Sequence, residues 1–291
     1  MRFGVRKRLR SLVLIGLVGA CCVSDASAET PVSARSDGAK QEQKTPLTGR
    51  QIYEKFLDNQ VRASFQRMRV VSRDPGGSGQ VTSFEVWLQD YRDAQKQPVD
   101  GVKSKMLLEV TAPKDMRHAA YLIVAKDPDS DDGYAYQPSL HRVRRMDLKN
   151  TSLFGTDFTF YTFNEIAFLG LDDSEYERLA DEEIGGVPVY VVEARVKDSV
   201  DVEYRRTITY LEKEHHVALR MRYWDENGVE VKEMTAAHAT IRAFGDTWVA
   251  TESTMTDLRQ GTNSTVYIDE LDTDPEFDDR VFSLSNLSRG H

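Results

Sequence analysis

Residues 134–163 read YAYQPSLHRVRRMDLKNTSLFGTDFTFYTF. Tyr134 and Tyr136 alternate, so on an extended strand they share one face. Gln137-Pro138-Ser139 predicts a turn, because proline presets the backbone angle a turn needs. On the returning strand Arg142 and Arg144 project together, while His141, Val143 and Arg145 project the other way. A hairpin is therefore followed by a segment around Gly155-Thr156-Asp157 that carries Phe154, Phe158, Phe160, Tyr161, Phe163 and, just beyond, Phe168. That order reads as a sheet with an aromatic cover. Aromatics at this density either fill a core or line an apolar cavity, and periodicity does not separate the two.

Outward from this stretch, most of the chain keeps a period of two. Thr48 is placed to cap a helix running to about Ala63, with Ile52, Tyr53, Phe56, Leu57 and Val61 forming one apolar stripe suited to lying on a sheet. Strands are expected over Phe65–Ser72, around Phe84-Val86-Leu88, over Met106–Thr111 and over Leu122–Ala125, the last apolar enough to be buried on both faces. Asn164–Leu169 reads as helical, and Tyr176–Ile184 as strand or helix. Val187–Val196, Thr207–Leu211, Val217–Trp224, Val229–Ile241, Thr247–Met255 and Ser264–Leu271 follow as a meander, with Asn227-Gly228 a strong hairpin turn. Val281, Phe282 and Leu284 are expected to close the chain. The total is about eleven strands with a helix at the start and one near the middle. Neighbouring strands joined by short turns make an antiparallel sheet, and one this wide curls.

The N-terminal residues form a different kind of sequence. Arg2, Arg6, Lys7, Arg8 and Arg10 precede an uncharged run, Leu12–Val23, and Ala26-Ser27-Ala28 fits a small-x-small cleavage site. Residues 1–28 thus read as a secretory signal peptide and imply periplasmic export. Val18-Gly19-Ala20-Cys21 offers a looser lipobox match, the alternative being a lipoprotein anchored through Cys21. Residues 29–46 are polar and aperiodic, a flexible leader, and residues 47–291 read as one domain. No cysteine lies beyond Cys22, so the mature chain has no internal disulfide.

Composition narrows the function. With 40% hydrophobic and 29% charged residues the chain has material for a core and a solvated surface. Losing residues 1–28 removes five basic residues and one acidic one, taking the formal charge from −9 to −13. Nucleic acid is an unsuitable partner for such a chain, because phosphate binding draws on clustered positive charge. His215 and His216 are adjacent and on a strand would face opposite sides, His118, His141 and His238 are scattered, and neither a Gly-x-Ser-x-Gly elbow nor a phosphate-cradling glycine loop occurs. The Asp127–Gly133 loop departs from a calcium loop at Asp132, where glycine is required, and at Pro138, where the glutamate belongs. No metal, cofactor or catalytic residue is expected. Arg142, Arg144 and Arg145 are the dense basic cluster, candidates for contact with an anion or an acidic partner.

Tyr136-x-Pro138, Arg142-Val143-Arg144-Arg145 and Phe154-Gly155-Thr156-Asp157-Phe158, with Pro113-Lys114-Asp115 ahead and Phe282-x-Leu284 behind, resemble the outer membrane lipoprotein-sorting (LolA-like) family. The resemblance implies a mainly β fold with covering helices, a curled antiparallel half-barrel of about eleven strands with an apolar cavity between sheet and lid. It implies a non-enzymatic carrier of lipid or acylated lipoprotein, working between an inner-membrane transporter and an outer-membrane acceptor. A sensor module of the same fold is one alternative, and a lipid- or glycan-acting hydrolase another. Leu122, Val124, Tyr134, Tyr136, Met221 and Tyr223 join the six aromatics named above as candidates for the cavity and its lid.

Overall fold

Fourteen strands hydrogen-bond into one sheet in the computed structural model, which describes residues 46–127, 129–149, 151–163 and 170–288. The segment read as signal peptide, with Cys21 and Cys22, the leader up to residue 45, and the helix expected over Asn164–Leu169 lie outside the described residues. Contacts group Pro46–His291 as one compact unit.

In chain order the strands are β1 (Ala63–Arg73), β2 (Gly79–Asp90), β3 (Val102–Ala112), β4 (Ala120–Lys126), β5 (Asp132–Gln137), β6 (Arg142–Met146), β7 (Ser174–Arg178), β8 (Glu182–Ile184), β9 (Val187–Val196), β10 (Arg206–Glu212), β11 (Ala218–Trp224), β12 (Glu230–Ala236), β13 (Ile241–Phe244), β14 (Thr247–Ala250), β15 (Glu252–Asp257) and β16 (Thr262–Asp272). Across the sheet their order is β6-β5-β4-β3-β2-β1-β16-β15-β12-β11-β10-β9-β7, with β8 also on β9 and β13–β14 forming a separate hairpin. All pairings are antiparallel. The first and last strands thus meet in the middle, and β6 and β7, consecutive in sequence, occupy opposite edges. Their connection, residues 147–173, has to cross a face of the sheet. That topological demand is why the aromatic stretch becomes a cover.

One apolar cluster shows that the sheet curls. It contains Ile123 and Ala125 of β4 together with Val192 and Ala194 of β9, from strands far apart in the sheet order, and joins them to Ile52, Tyr53 and Phe56 of the first helix and to Leu153, Phe158 and Phe160 of the cover. Only a curled inner face brings these together. The sheet does not close into a barrel, since β6 and β7 remain edges. Two further clusters lie on the outer face. Leu107, Ala120, Leu122 and Tyr136 pack under Phe282 and Leu287, while Val189, Val191, Ile208, Tyr210 and Leu219 pack with Ile241 and Trp248 of the β13–β14 hairpin.

Helix α1 (Gly49–Asp58) begins where its caps dictate. Gln51 N donates to Thr48 Oγ1 at 3.2 Å, and Thr48 N donates to Gln51 Oε1 at 2.9 Å, closing a capping box. Ile52, Tyr53 and Phe56 face the sheet and are buried. Gly49 allows the helix to sit close, because a Cβ there would lie 2.6 Å from Arg178 N of β7. Among the described residues no helix is long and apolar enough to cross a membrane.

The strand count exceeds the expected eleven, for local reasons. Val229–Ile241 does not run as one strand: β12 ends at Ala236, and a 3-10 turn over His238–Thr240 leads into β13. Thr247–Met255 divides at Thr251, whose N–H and Oγ1 both donate to Thr240 O at 3.0 Å. Tyr176–Ile184 divides into β7 and β8. The closing strand expected at Val281–Leu284 is a 3-10 turn followed by a short helix, Leu284–Leu287. Capping side chains produce that change, since Asp278 accepts from Arg280 N at 2.8 Å and Ser283 accepts from Asn286 N at 3.1 Å. The short apolar β4 is buried on both faces as its sequence implies.

Candidate functional site

Inward-facing positions recur every second residue along each strand, and on the inner face they are mostly aliphatic or methionine. Met68 on β1, Val86 and Leu88 on β2, Met106 on β3, Met221 and Tyr223 on β11, Met234 on β12, and Val266 and Ile268 on β16 bound a cavity of about 250 Å³. Phe56 closes it from α1, Phe158 and Thr162 from the cover, and Trp248, Val249 and Ala250 from β14. Its deep wall is fully buried, Val86 and Tyr223 being 1% exposed and Met106 2%. Asn59, Gln60, Gln66, Thr162 and Ser253 are half-buried and form the polar part of the lining. Among the described residues no Asp, Glu, Lys, Arg or His lines it. Four methionines give this wall unbranched, polarizable side chains that adapt to a variable apolar guest.

Two sets of hydrogen bonds fasten the hairpin and the cover. The β13–β14 hairpin packs on the outer face and reaches round to the cavity. It is tied to the end of α1 by Asn59, whose Nδ2 donates to Trp248 O at 2.9 Å and whose Oδ1 accepts from Trp248 N at 2.8 Å. The Trp248 ring stacks on His215 with centroids 3.6 Å apart.

The second set pins the cover. Phe154 and Gly155 both take left-handed backbone angles (φ 50° and 77°), a tight turn that glycine makes easily and phenylalanine only with support. Support comes from Tyr121, stacked on Phe154 at 4.0 Å between centroids. The turn delivers Asp157 into the sheet. There its carboxylate accepts from Thr262 Oγ1 and, at 2.6 Å, from Ser264 Oγ, while its own N–H donates to Ser264 Oγ at 2.9 Å. Lys232 Nζ donates to Asp157 O and also pairs with Asp257 at 3.7 Å. Every one of these groups has a partner, as burial requires.

The residues singled out by sequence separate into groups. Phe158, Met221 and Tyr223 line the cavity. Phe154, Phe160 and Tyr161 pack in the core between cover and sheet, with Phe160 fully buried; these aromatics fill space. Burial, with Asp131, Asp201 and Glu203 nearby, pushes the Tyr161 phenol up, so it stays neutral. Phe168 and the Phe163 side chain lie outside the described residues. Leu122, Tyr134 and Tyr136 do not line the cavity. On β4 and β5 the even-numbered positions face outward, where these three residues pack in the cluster that holds Phe282 and Leu287, and Val124 shares that face. Arg142, Arg144 and Arg145 are exposed on the edge strand β6. Arg145 pairs with Asp132 at 2.6 Å, and the Lys126 ammonium, with help from Arg145, holds that carboxyl below its usual range. The three arginines are remote from the cavity and take no part in lining it.

Sequence reading missed Asn59, Gln60, Gln66, Met68, Met106, Met234 and Trp248. A signal existed for the methionines, since Met68, Met106 and Met221 each sit at an inward position of an alternating strand. None existed for Asn59, whose partner is 189 positions away. Among the described residues no cluster of three His, Cys, Asp or Glu could hold a metal ion.

A family model described as "Uncharacterized protein" matches residues 102–289. No curated protein matches the sequence. The fold is similar to three solved structures. An outer membrane lipoprotein-sorting protein domain from Vibrio parahaemolyticus is 20% identical with TM-score 0.70, covering 83% of this chain and 98% of that one. A DUF1329 family protein from Desulfovibrio piger is 20% identical with TM-score 0.72, covering 82% and 97%. A LolA superfamily protein from Nitrosomonas europaea is 17% identical with TM-score 0.62, covering 83% and 100%.

Proposed function

The chain belongs to the family that its residues 102–289 match and has the LolA-like fold, and on that premise we propose that it is a carrier that holds lipid or lipoprotein acyl chains in its inner-face cavity. One observation carries the reading: the cavity between sheet and cover is lined mostly by methionine, aliphatic and aromatic side chains with a few neutral polar ones, and among the described residues by no charge. An acyl chain entering it leaves water at a gain of about 0.8 kcal/mol per methylene. The same lining supports binding without chemistry, since it offers no acid, base or nucleophile pair. In this reading residues 1–28 export the chain to the periplasm, residues 47–291 act as one carrier domain, and cargo passes from an inner-membrane donor to an outer-membrane acceptor. Release requires a partner that favours an open state of the cover or hairpin.

The test is to purify the full chain from its native envelope, extract bound lipid and identify it by mass spectrometry, alongside titration with a fluorescent acyl probe. Co-purifying acyl lipid and saturable probe binding are expected. Absence of both would sink the proposal.

A further inference from the structure

The cavity stops short of the apolar floor that the sheet offers. We propose, resting on the carrier reading, that Phe158 is the stop that sets how far an acyl chain runs along the inner face, and with it the chain length the protein prefers.

Four neighbouring strands, β3-β2-β1-β16, form that floor. Gln66 of β1 stands opposite Val86 of β2, and Val86 opposite Leu108 of β3. One inward position further along β1, Met68 stands opposite Phe84 and Ile268; one beyond that, Val70 stands opposite Val266. The apolar rows therefore continue past the cavity as a trough. A second space of about 10 Å³ lies there, with Val70, Phe84, Leu108 and Leu153 in its lining. On β1, β2 and β3 its walls are set one inward position further along than those of the cavity, all in the same direction, a step of roughly 7 Å. Phe158, Met68 and Val266 line both spaces, so these three side chains stand between them.

Of the three, Phe158 is the one that blocks. Val266 belongs to the floor, and Met68 is unbranched and adapts to a guest. Phe158 comes from the cover, is bulky, and stands on a fixed mount. Its carbonyl accepts from Leu153 N at 2.8 Å, its N–H donates to Thr156 Oγ1 at 3.3 Å, and the preceding Asp157 is bonded to Ser264. The space behind it is ready for a chain. Thr156 is the polar residue in its lining, and that hydroxyl is engaged by Phe158 N. So small and apolar a space stays dry, and its walls lack the contacts that a guest methylene would supply. The trough then ends on a polar row. Ser72 and Ser264 face each other across β1 and β16 with their hydroxyl oxygens 2.9 Å apart, and Asp157 lies against Ser264. Taking the Phe158 ring away thus lengthens the trough by about one step and no more.

Size makes the stop matter. At about 250 Å³ the cavity lies below the roughly 300–1,000 Å³ of pockets that enclose whole small molecules, so it covers only part of a long chain. Each methylene covered tightens binding about fourfold, the equivalent of about 0.8 kcal/mol. Methylenes that the stop keeps out add nothing. Affinity followed against chain length should therefore climb and then break.

The experiment displaces a fluorescent acyl probe from the full-length protein with monoacylglycerols that share one uncharged head and carry octanoyl, decanoyl, lauroyl, myristoyl or palmitoyl chains. Neighbouring members differ by a pair of methylenes, so on the unaltered protein each should displace the probe about fifteenfold more tightly than the one before, until a break beyond which the gain is about threefold or less. Phe158→Ala should move the break to a longer member. Phe158→Leu, which keeps more of the packing under the cover, should move it the same way. Adding Val70→Phe to Phe158→Ala refills the space behind the stop and should bring the break back. The position of the break separates a stop from a packing residue, because a loosened cover weakens every member alike. Affinity that climbs through the palmitoyl member without a break, or a break that stays in place in Phe158→Ala and Phe158→Leu, overturns the stop and leaves the carrier reading standing. A probe that does not bind the unaltered protein at all overturns both.

Discussion

Asp157 is where the cover is fastened, and the chemistry there is concentrated in one side chain. Thr262 and Ser264 both donate to its carboxylate; Asp157 and Ser264 are buried and Thr262 is half-buried. Replacing Asp157 by Ala leaves the buried Ser264 hydroxyl without its carboxylate partner, a loss that costs about 1–3 kcal/mol for a buried polar group. Urea unfolding should show that loss, and hydrogen exchange should show faster opening at the Leu153 and Thr156 amides, which close the turn by bonding Phe158 O and Leu153 O at 2.8 and 3.0 Å. An unchanged midpoint and unchanged exchange would mean that packing alone holds the cover. His216 provides a second residue-level test, through pH. Burial, with Lys55 and His215 nearby, lowers its pKa from the ordinary 6.5. The folded protein therefore binds this proton less readily than the unfolded chain. Above 6.5 both states are neutral and the group is silent; as pH falls through 6.5 the unfolded state takes up the proton first, and stability drops. His216 has a left-handed backbone (φ 60°), which asparagine tolerates. His216→Asn should thus fold and lose less stability than the unaltered chain between about pH 7.5 and about pH 5.5, as measured by urea midpoints. Of these two residues, the sequence singled out the Gly155-Thr156-Asp157 turn by its composition. It could not disclose that Asp157 serves strands β12 and β16, because those contacts span 75 to 107 positions.

Among the elements, the hairpin β13–β14 was the least readable. Its strands continue the alternation of β12 and β15 without a break in hydrophobic pattern, so two long strands are the natural reading of Val229–Ile241 and Thr247–Met255. The break is made by two hydrogen bonds that Thr251 donates to Thr240 O, and by Trp248 finding Asn59 and His215. Strands β1–β6, by contrast, are separated by turn residues that sequence marks plainly, and their order follows from adjacency. The edge strand β6 carries Arg142, Arg144 and Arg145, charges of the kind that keep an exposed edge from pairing with another chain. The hairpin bears on access to the cavity, since Trp248, Val249 and Ala250 form part of its wall. Asn59→Ala removes both bonds between α1 and the Trp248 backbone. At about 0.5–1.5 kcal/mol net for each bond, the hairpin should open more often while the sheet stays folded. Stopped-flow exchange of a bound acyl probe should then accelerate several-fold with a smaller change in global unfolding. Exchange at the original rate would place the entry route elsewhere, at the cover.

In the whole molecule, one curled sheet separates two apolar systems that share its strands. The inner face meets α1, the cover and the cavity; the outer face meets the C-terminal segment and the hairpin. This division is why Leu122, Tyr134 and Tyr136, although apolar and adjacent in sequence to the cover, contribute stability and no cavity wall. Period two states that neighbouring residues face opposite ways, but which face is inside depends on the curl, which the sequence expresses only through the sheet as a unit. The separation predicts a double dissociation. Phe282, 6% exposed and packed edge-on to Phe277, holds the outer cluster; Phe282→Ala should cost about 3–5 kcal/mol in urea unfolding and leave acyl-probe affinity unchanged under folding conditions. Met221, on the inner face, offers the opposite case. Met221→Trp projects added volume into the cavity, so strain is limited to about 1–3 kcal/mol or less, while probe affinity should fall about tenfold or more as the space for a chain is taken up. If Phe282→Ala weakened the probe as much as Met221→Trp did, the two faces would be coupled through the sheet, and the cavity would have to be treated as a property of the whole fold. If Met221→Trp bound the probe unimpaired, the chain would have to enter at another site.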